Sequence, residues 1–175
     1  MSFPVFASGD VLNASDMNAV GLWLVKTQTI GTGVSSVAIT SCFSSDYDNY
    51  RVVISNTVGS VNDNAISIQF ANVANHYAQM AYWAYNAIGS GSLNTNAQTF
   101  GYVGLTGAAG QMSLTMDILA PNLAVFTKFT GNLTSNNFMG TSGGVYAANT
   151  QFTGFTLIFP GTTTGGTIKV YGYRN

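Results

Sequence analysis

The chain has 175 residues, of which only 6% are charged: six Asp, no Glu, and five Lys or Arg, with a formal net charge of −1. An ordinary soluble domain is about a quarter charged, so acids, bases and metal ligands are scarce and catalysis is not expected. Lys26, Arg51, Lys128, Lys169 and Arg174 are scattered, with no basic stripe to neutralise a phosphate backbone, which argues against nucleic acid as a partner.

The first segment, residues 1–21, differs from the rest and reads as an extended apolar arm, a Gly-Asp turn and a short helix. Phe3 precedes Pro4 and is pushed out of the α region. Asn13 or Ser15 can cap a helix over Asp16 to Val20, with Asp16 favourable near its positive end. So short a helix does not stand alone in water. Phe3, Val5, Phe6, Val11, Leu12 and Met17 therefore need a surface to bury against. Either the arm packs on its own domain or it docks into a neighbouring subunit, and the second reading is preferred because the arm precedes the first strand.

Strand signals then recur at Leu22–Ile30, Ser36–Ile39, Tyr50–Thr57, Ala65–Phe70, Tyr77–Tyr85 and Thr99–Gly104, and again at Met112–Leu119, Val125–Thr130, Gly144–Ala148, Phe155–Phe159 and Thr167–Tyr173. Alternation is clean where Ile66, Ile68 and Phe70 oppose Ser67 and Gln69, and where Ile168, Val170 and Gly172 oppose Lys169, Tyr171 and Tyr173. Turns are expected at Gly31–Gly33, Asn62–Asn64, Gly89–Ser92, Asn136–Asn137, Ser142–Gly144 and Gly161–Gly166. Pro121 and Pro160 are placed at strand ends. Short strands at this spacing, without a helical period, predict an all-β fold over residues 22–175. An antiparallel β-sandwich of jelly-roll type is the expected form.

Chemistry-bearing groups are few. Cys42 is single, so an intrachain disulfide and a multi-cysteine zinc site are excluded, and it reads as a small buried residue in a strand. Asp46 and Asp48 would share one side of an extended segment and could hold Ca²⁺ with Asn49. The preferred reading is a turn in which Asp and Asn bond their own backbone. His76 is the only histidine, no nucleophile motif surrounds any Ser, and it reads as a surface or packing residue. Gly101–Gly104 and Gly107–Gly110 lack the Lys-Ser/Thr ending of a phosphate loop. No catalytic, cofactor or metal residue is assigned. The longest clearly apolar stretch, Val20–Val25, is far short of the roughly 20 residues that a spanning helix needs. No basic region followed by an apolar one opens the chain, so no secretory signal is expected and the protein is expected to be made in a cytoplasm. One constellation has recognition potential: Tyr77, Tyr82, Trp83 and Tyr85, uncharged aromatics suited to stacking on sugar rings beside Asn and Gln. On a strand Tyr77, Gln79, Ala81, Trp83 and Tyr85 share one face, and Tyr82 and Ala84 share the other.

Two stretches and the last strand carry a resemblance. Ala7-Ser8-Gly9-Asp10-Val11-Leu12-Asn13-Ala14-Ser15-Asp16-Met17-Asn18 resembles a segment near the start of bacteriophage fibre and tail-appendage proteins. Phe43 to Ile54 is similar to a motif in compact β-sandwich domains of phage fibres and surface decorations, and Ile168 to Asn175 resembles their last strand. The resemblance implies a non-enzymatic structural subunit of the virion, often a homotrimer, assembled on the particle after synthesis in the bacterial host. Its arm would attach to other virion proteins and its sandwich would project outward. A short tail fibre, a fibre-like appendage, or a capsid decoration or knob fits a chain without a coiled-coil shaft. Host-surface glycan is a further partner, suggested not by the resemblance but by the aromatics Tyr77, Tyr82, Trp83 and Tyr85. Neither membrane insertion nor a cofactor is implied.

Overall fold

A computed structural model describes residues 8–9, 21–61, 64–85, 90–106 and 111–173. The arm's helix and its docking residues Phe3, Val5, Phe6, Val11, Leu12 and Met17 lie outside the described residues. Twelve strands follow in chain order. They are β1 (Leu22–Thr29), β2 (Thr32–Ile39), β3 (Asn49–Gly59), β4 (Ala65–Gln69), β5 (His76–Ala84) and β6 (Ser90–Gln98). The second half holds β7 (Gly101–Leu105), β8 (Gln111–Leu119), β9 (Thr127–Thr134), β10 (Phe138–Tyr146), β11 (Phe155–Thr164) and β12 (Thr167–Tyr173). The fold is all-β and every pairing is antiparallel. Among the described residues no helix is long and apolar enough to cross a membrane.

Alternation explains the layers. In β8, Met112, Leu114, Met116 and Ile118 are buried while Ser113, Thr115 and Leu119 are exposed. On β3 the inward set is Tyr50, Val52 and Ile54, and on β12 it is Ile168 and Val170. Rings fill the core in two groups. Phe43 lies 4.7 Å from Tyr50 and 5.6 Å from Phe155, and Phe70 gathers His76, Phe129, Tyr146 and Phe152 at 5.4–6.4 Å.

Hydrogen bonding joins the strands in one continuous sheet. The order is β6-β5-β10-β9-β8-β3-β11-β4-β7, with β12 between β3 and β1, and β2 beside β11. The sheet curls nearly into a barrel, bringing β7 over the inner face of β5, β10 and β9. Ser142 Oγ donates to Val103 O across that gap at 3.1 Å. A Cβ on Gly101 would lie 2.8 Å from Phe129 Cζ, so glycine permits the close approach.

The curl has a local cause. β1 and β2 pair along β12 and β11 as one long antiparallel ladder, kept in step across the break by Ile30 N–H to Gly166 O (3.0 Å) and Gly165 N–H to Gly31 O (3.3 Å). At the same level β3 carries a bulge at Asn56, whose φ is +59°, facing Gly165 and Gly166 at +66° and +97°. Bulges add bend and twist, so this line of irregularity is the corner at which the long strands turn. The glycine clusters Gly31–Gly33 and Gly161–Gly166, expected to be turns, are therefore corner and strand. Pro160 sits inside β11, not at its end, in the span where the register with β2 shifts and its missing N–H leaves no gap in the ladder.

Candidate functional site

Eight strands, β1-β12-β3-β8-β9-β10-β5-β6, form one continuous outer face, and register puts its side chains in rows across them. One row reads Leu24, Tyr171, Arg51, Asp117, Thr130, Gly143, Gln79 and Asn94. The next, towards the other strand ends, holds Lys169, Val53, Thr115, Asn132, Thr141, Ala81 and Ser92. Among the described residues the charged groups on this face are Arg51, Asp117, Lys128 and Lys169. The remainder is hydroxyl, amide and apolar.

At one side of the face stands a polar triad. Arg51 on β3 meets Asp117 on β8 with Nε to Oδ1 at 2.8 Å and the terminal nitrogen to Oδ2 at 2.9 Å. Tyr173 on β12 donates its hydroxyl to the same Oδ1 at 2.7 Å, and its ring lies 5.6 Å beneath the guanidinium carbon. Arg51 holds the Asp117 carboxyl below its usual range, the tyrosine hydrogen bond adding to it. Partial burial, then that bond to the carboxylate, pushes the Tyr173 phenol up to about 12. A depression of about 360 Å³ opens beside the triad, lined by Asn49, Leu119 and Thr130. With three donors on one carboxylate, Asp117 is a fixed ionic anchor. Exposed Leu119 lines the depression, and exposed Leu22 and Leu24 pair with Tyr173 and Tyr171 on the neighbouring strand. Asp46 and Asp48 stand nearer to Arg51 in the sequence, but the ladder pairs it with an acid 66 positions away, which no local pattern signals.

The other side of the face carries the aromatics. Tyr77 (40% exposed) and Trp83 (47%) project outward from β5, Tyr85 (49%) lies just past its end, and Met139 (48%) stands beside Trp83 on β10. Tyr82 faces inward, edge-on to Phe138 with ring centroids 5.6 Å apart, and is not part of the outer strip. Period-two alternation foresaw this division. Missing from the sequence reading were Gln79's neighbours on β10, Thr141 and Gly143, which line a second depression of about 430 Å³ with Gln79 and Ala81.

Other candidate groups serve packing. Cys42 is buried in the loop after β2, not in a strand; its thiol donates to Ile39 O, and burial pushes it up to about 12. His76 is fully buried, accepting Phe70 N–H at Nε2 (3.1 Å) and so carrying its proton on Nδ1 towards Gln98 O (3.2 Å). Asp46 accepts from Ser44 Oγ at 3.1 Å within a turn. Gly101–Gly104 lies in β7. Among the described residues no three His, Cys or Asp side chains gather as metal ligands. No protein-family model matches the sequence, and no curated protein does.

Proposed function

We propose that this chain is a structural subunit of a bacteriophage particle, anchored by its N-terminal arm and projecting its β-domain outward as a short tail fibre or fibre-like appendage. The carrying observation is the segment Ala7 to Asn18, whose form resembles the opening of phage appendage proteins. The nature of the outer face supports it. A surface of Ser, Thr, Asn and small apolar groups can lie against a neighbour with little desolvation cost, where a charged one could not. Under this reading the curled sheet serves as a sandwich of jelly-roll type, the subunit is a homotrimer, and its role is assembly, not catalysis. Localisation on the virion follows synthesis in the bacterial host.

Deletion of residues 1–20 is the direct test. We expect a soluble β-protein with an unchanged far-ultraviolet spectrum that no longer co-sediments with particles. Retained attachment would overturn the arm assignment. Antibody-labelled particles in the electron microscope distinguish an appendage from a head decoration: label at the tail supports the fibre, and label over the capsid replaces it with the decoration.

A further inference from the structure

β10 contains three glycines that the fold treats differently. Gly140 and Gly144 face inward, where a Cβ would come within 2.5 Å of Ala81 O or of Phe129 Cζ. Gly143 faces outward, and a Cβ there would meet nothing nearer than 3.8 Å. Its φ lies outside the left-handed region, so any L residue fits. Glycine inside a strand weakens it and marks places where something approaches the backbone closely. The missing side chain is not required by the fold, and its effect is to open the depression beside Gln79, Ala81 and Thr141.

That opening lies between two exposed aromatics. Tyr77 and Trp83 are six residues apart on one face of β5, about 20 Å at strand rise. Between them the floor offers Gln79 and, across the ladder, Asn94, Ser92 and Thr141 as hydrogen-bonding groups. The closest charged side chains in the ladder are Lys128, opposite Val145, and Asp117, opposite Thr130 and already bound by Arg51. An anionic polymer finds no row of cations here, and a single strand of nucleic acid needs one. A peptide cannot add as a strand, because β5 is hydrogen-bonded on both sides, to β10 and to β6.

We infer that this lane binds a neutral linear oligosaccharide lying along β5. Its ends stack on Tyr77 and Trp83, its middle rests over Gly143, and Gln79 and Asn94 hydrogen-bond its hydroxyls. The inference rests on the surface alone, independent of the virion reading, and removing the arm leaves the lane intact, so the two tests fail separately.

An array of neutral linear tetrasaccharides with glucose, galactose, mannose and N-acetylglucosamine backbones, with sialylated and sulfated controls, tests it on the full chain. The expected result is saturable retention of at least one neutral backbone over the anionic controls, with a change in tryptophan emission, since Trp83 is one of only two tryptophans. Gly143→Val and Tyr77→Ala should each lower affinity at least about tenfold, with the thermal midpoint of Gly143→Val no lower than that of the wild-type protein. The proposal is overturned by no neutral tetrasaccharide being retained, by preference for the anionic set, or by full affinity in both variants. Self-association that Trp83→Ala abolishes, without sugar binding, overturns it too and gives the strip to a second copy of the chain.

Discussion

At the scale of single residues, His76 has a measurable consequence. Burial lowers its pKa from the ordinary 6.5, because the charged ring would lose its hydration and the Phe70 N–H donor would face a second donor. The unfolded chain therefore binds the proton more readily than the folded one. Stability should be level above about pH 6.5 and fall as acid is added, by at most about 1.4 kcal/mol per pH unit, until the lowered folded value is passed. Since the chain has one histidine, the interval from pH 7 to 5 isolates it. Urea unfolding across that interval should show the slope, and His76→Gln should flatten it. A wild-type protein equally stable at pH 7 and 5 would refute this account.

Elements bring register into play, and with it the contrast within β10. Gly144→Ala forces a methyl towards Phe129 Cζ at 2.5 Å and Tyr77 O at 2.6 Å, so it should cost about 1–3 kcal/mol as an overpacked site. Gly143→Ala, one position earlier, should stabilise by about 0.5–1 kcal/mol. Thermal melts of the two variants check both signs. This contrast was not legible in the sequence, where Ser142-Gly143-Gly144 resembles a turn; the Phe129 ring that needs Gly144 is brought by tertiary packing. β6 was missed for a related reason. Its Ser, Gly and Asn are turn formers, and only Leu93 and Thr95 turn towards the interior in its middle. By contrast, β8, β4 and β12 were readable because one apolar face is buried along their length. The outward direction of Tyr77 and Trp83 follows from a period of two. That Gln79 lies beside Gly143, or Arg51 beside Asp117, depends on register between strands far apart in the chain, and no local signal carries it.

The whole molecule exposes edges as well as faces. Among the described residues β1 pairs only with β12 and β2 only with β11, so the outer side of this long ladder presents free backbone groups. Its protective devices are the irregularity at Val25 and the charge of Lys26, which is drawn to Thr40 O at 2.9 Å. Alongside a nearly uncharged outer face, that edge is what a neighbouring subunit would cover. Native mass spectrometry should therefore give a trimer, with a monomer at micromolar concentration counting against it.

The same ladder also governs the order in which the chain can acquire its structure. The first described strand finds its hydrogen-bonding partner only in residues 167–173, the last described strand. On the ribosome β1 must wait, unpaired, until nearly all the intervening chain has been synthesised. So long-range a closure makes for slow folding, and the sheet cannot lock at its corner before β11 and β12 arrive. Nascent chains thus pass through a period in which the backbone of β1 is open to pairing outside its own fold.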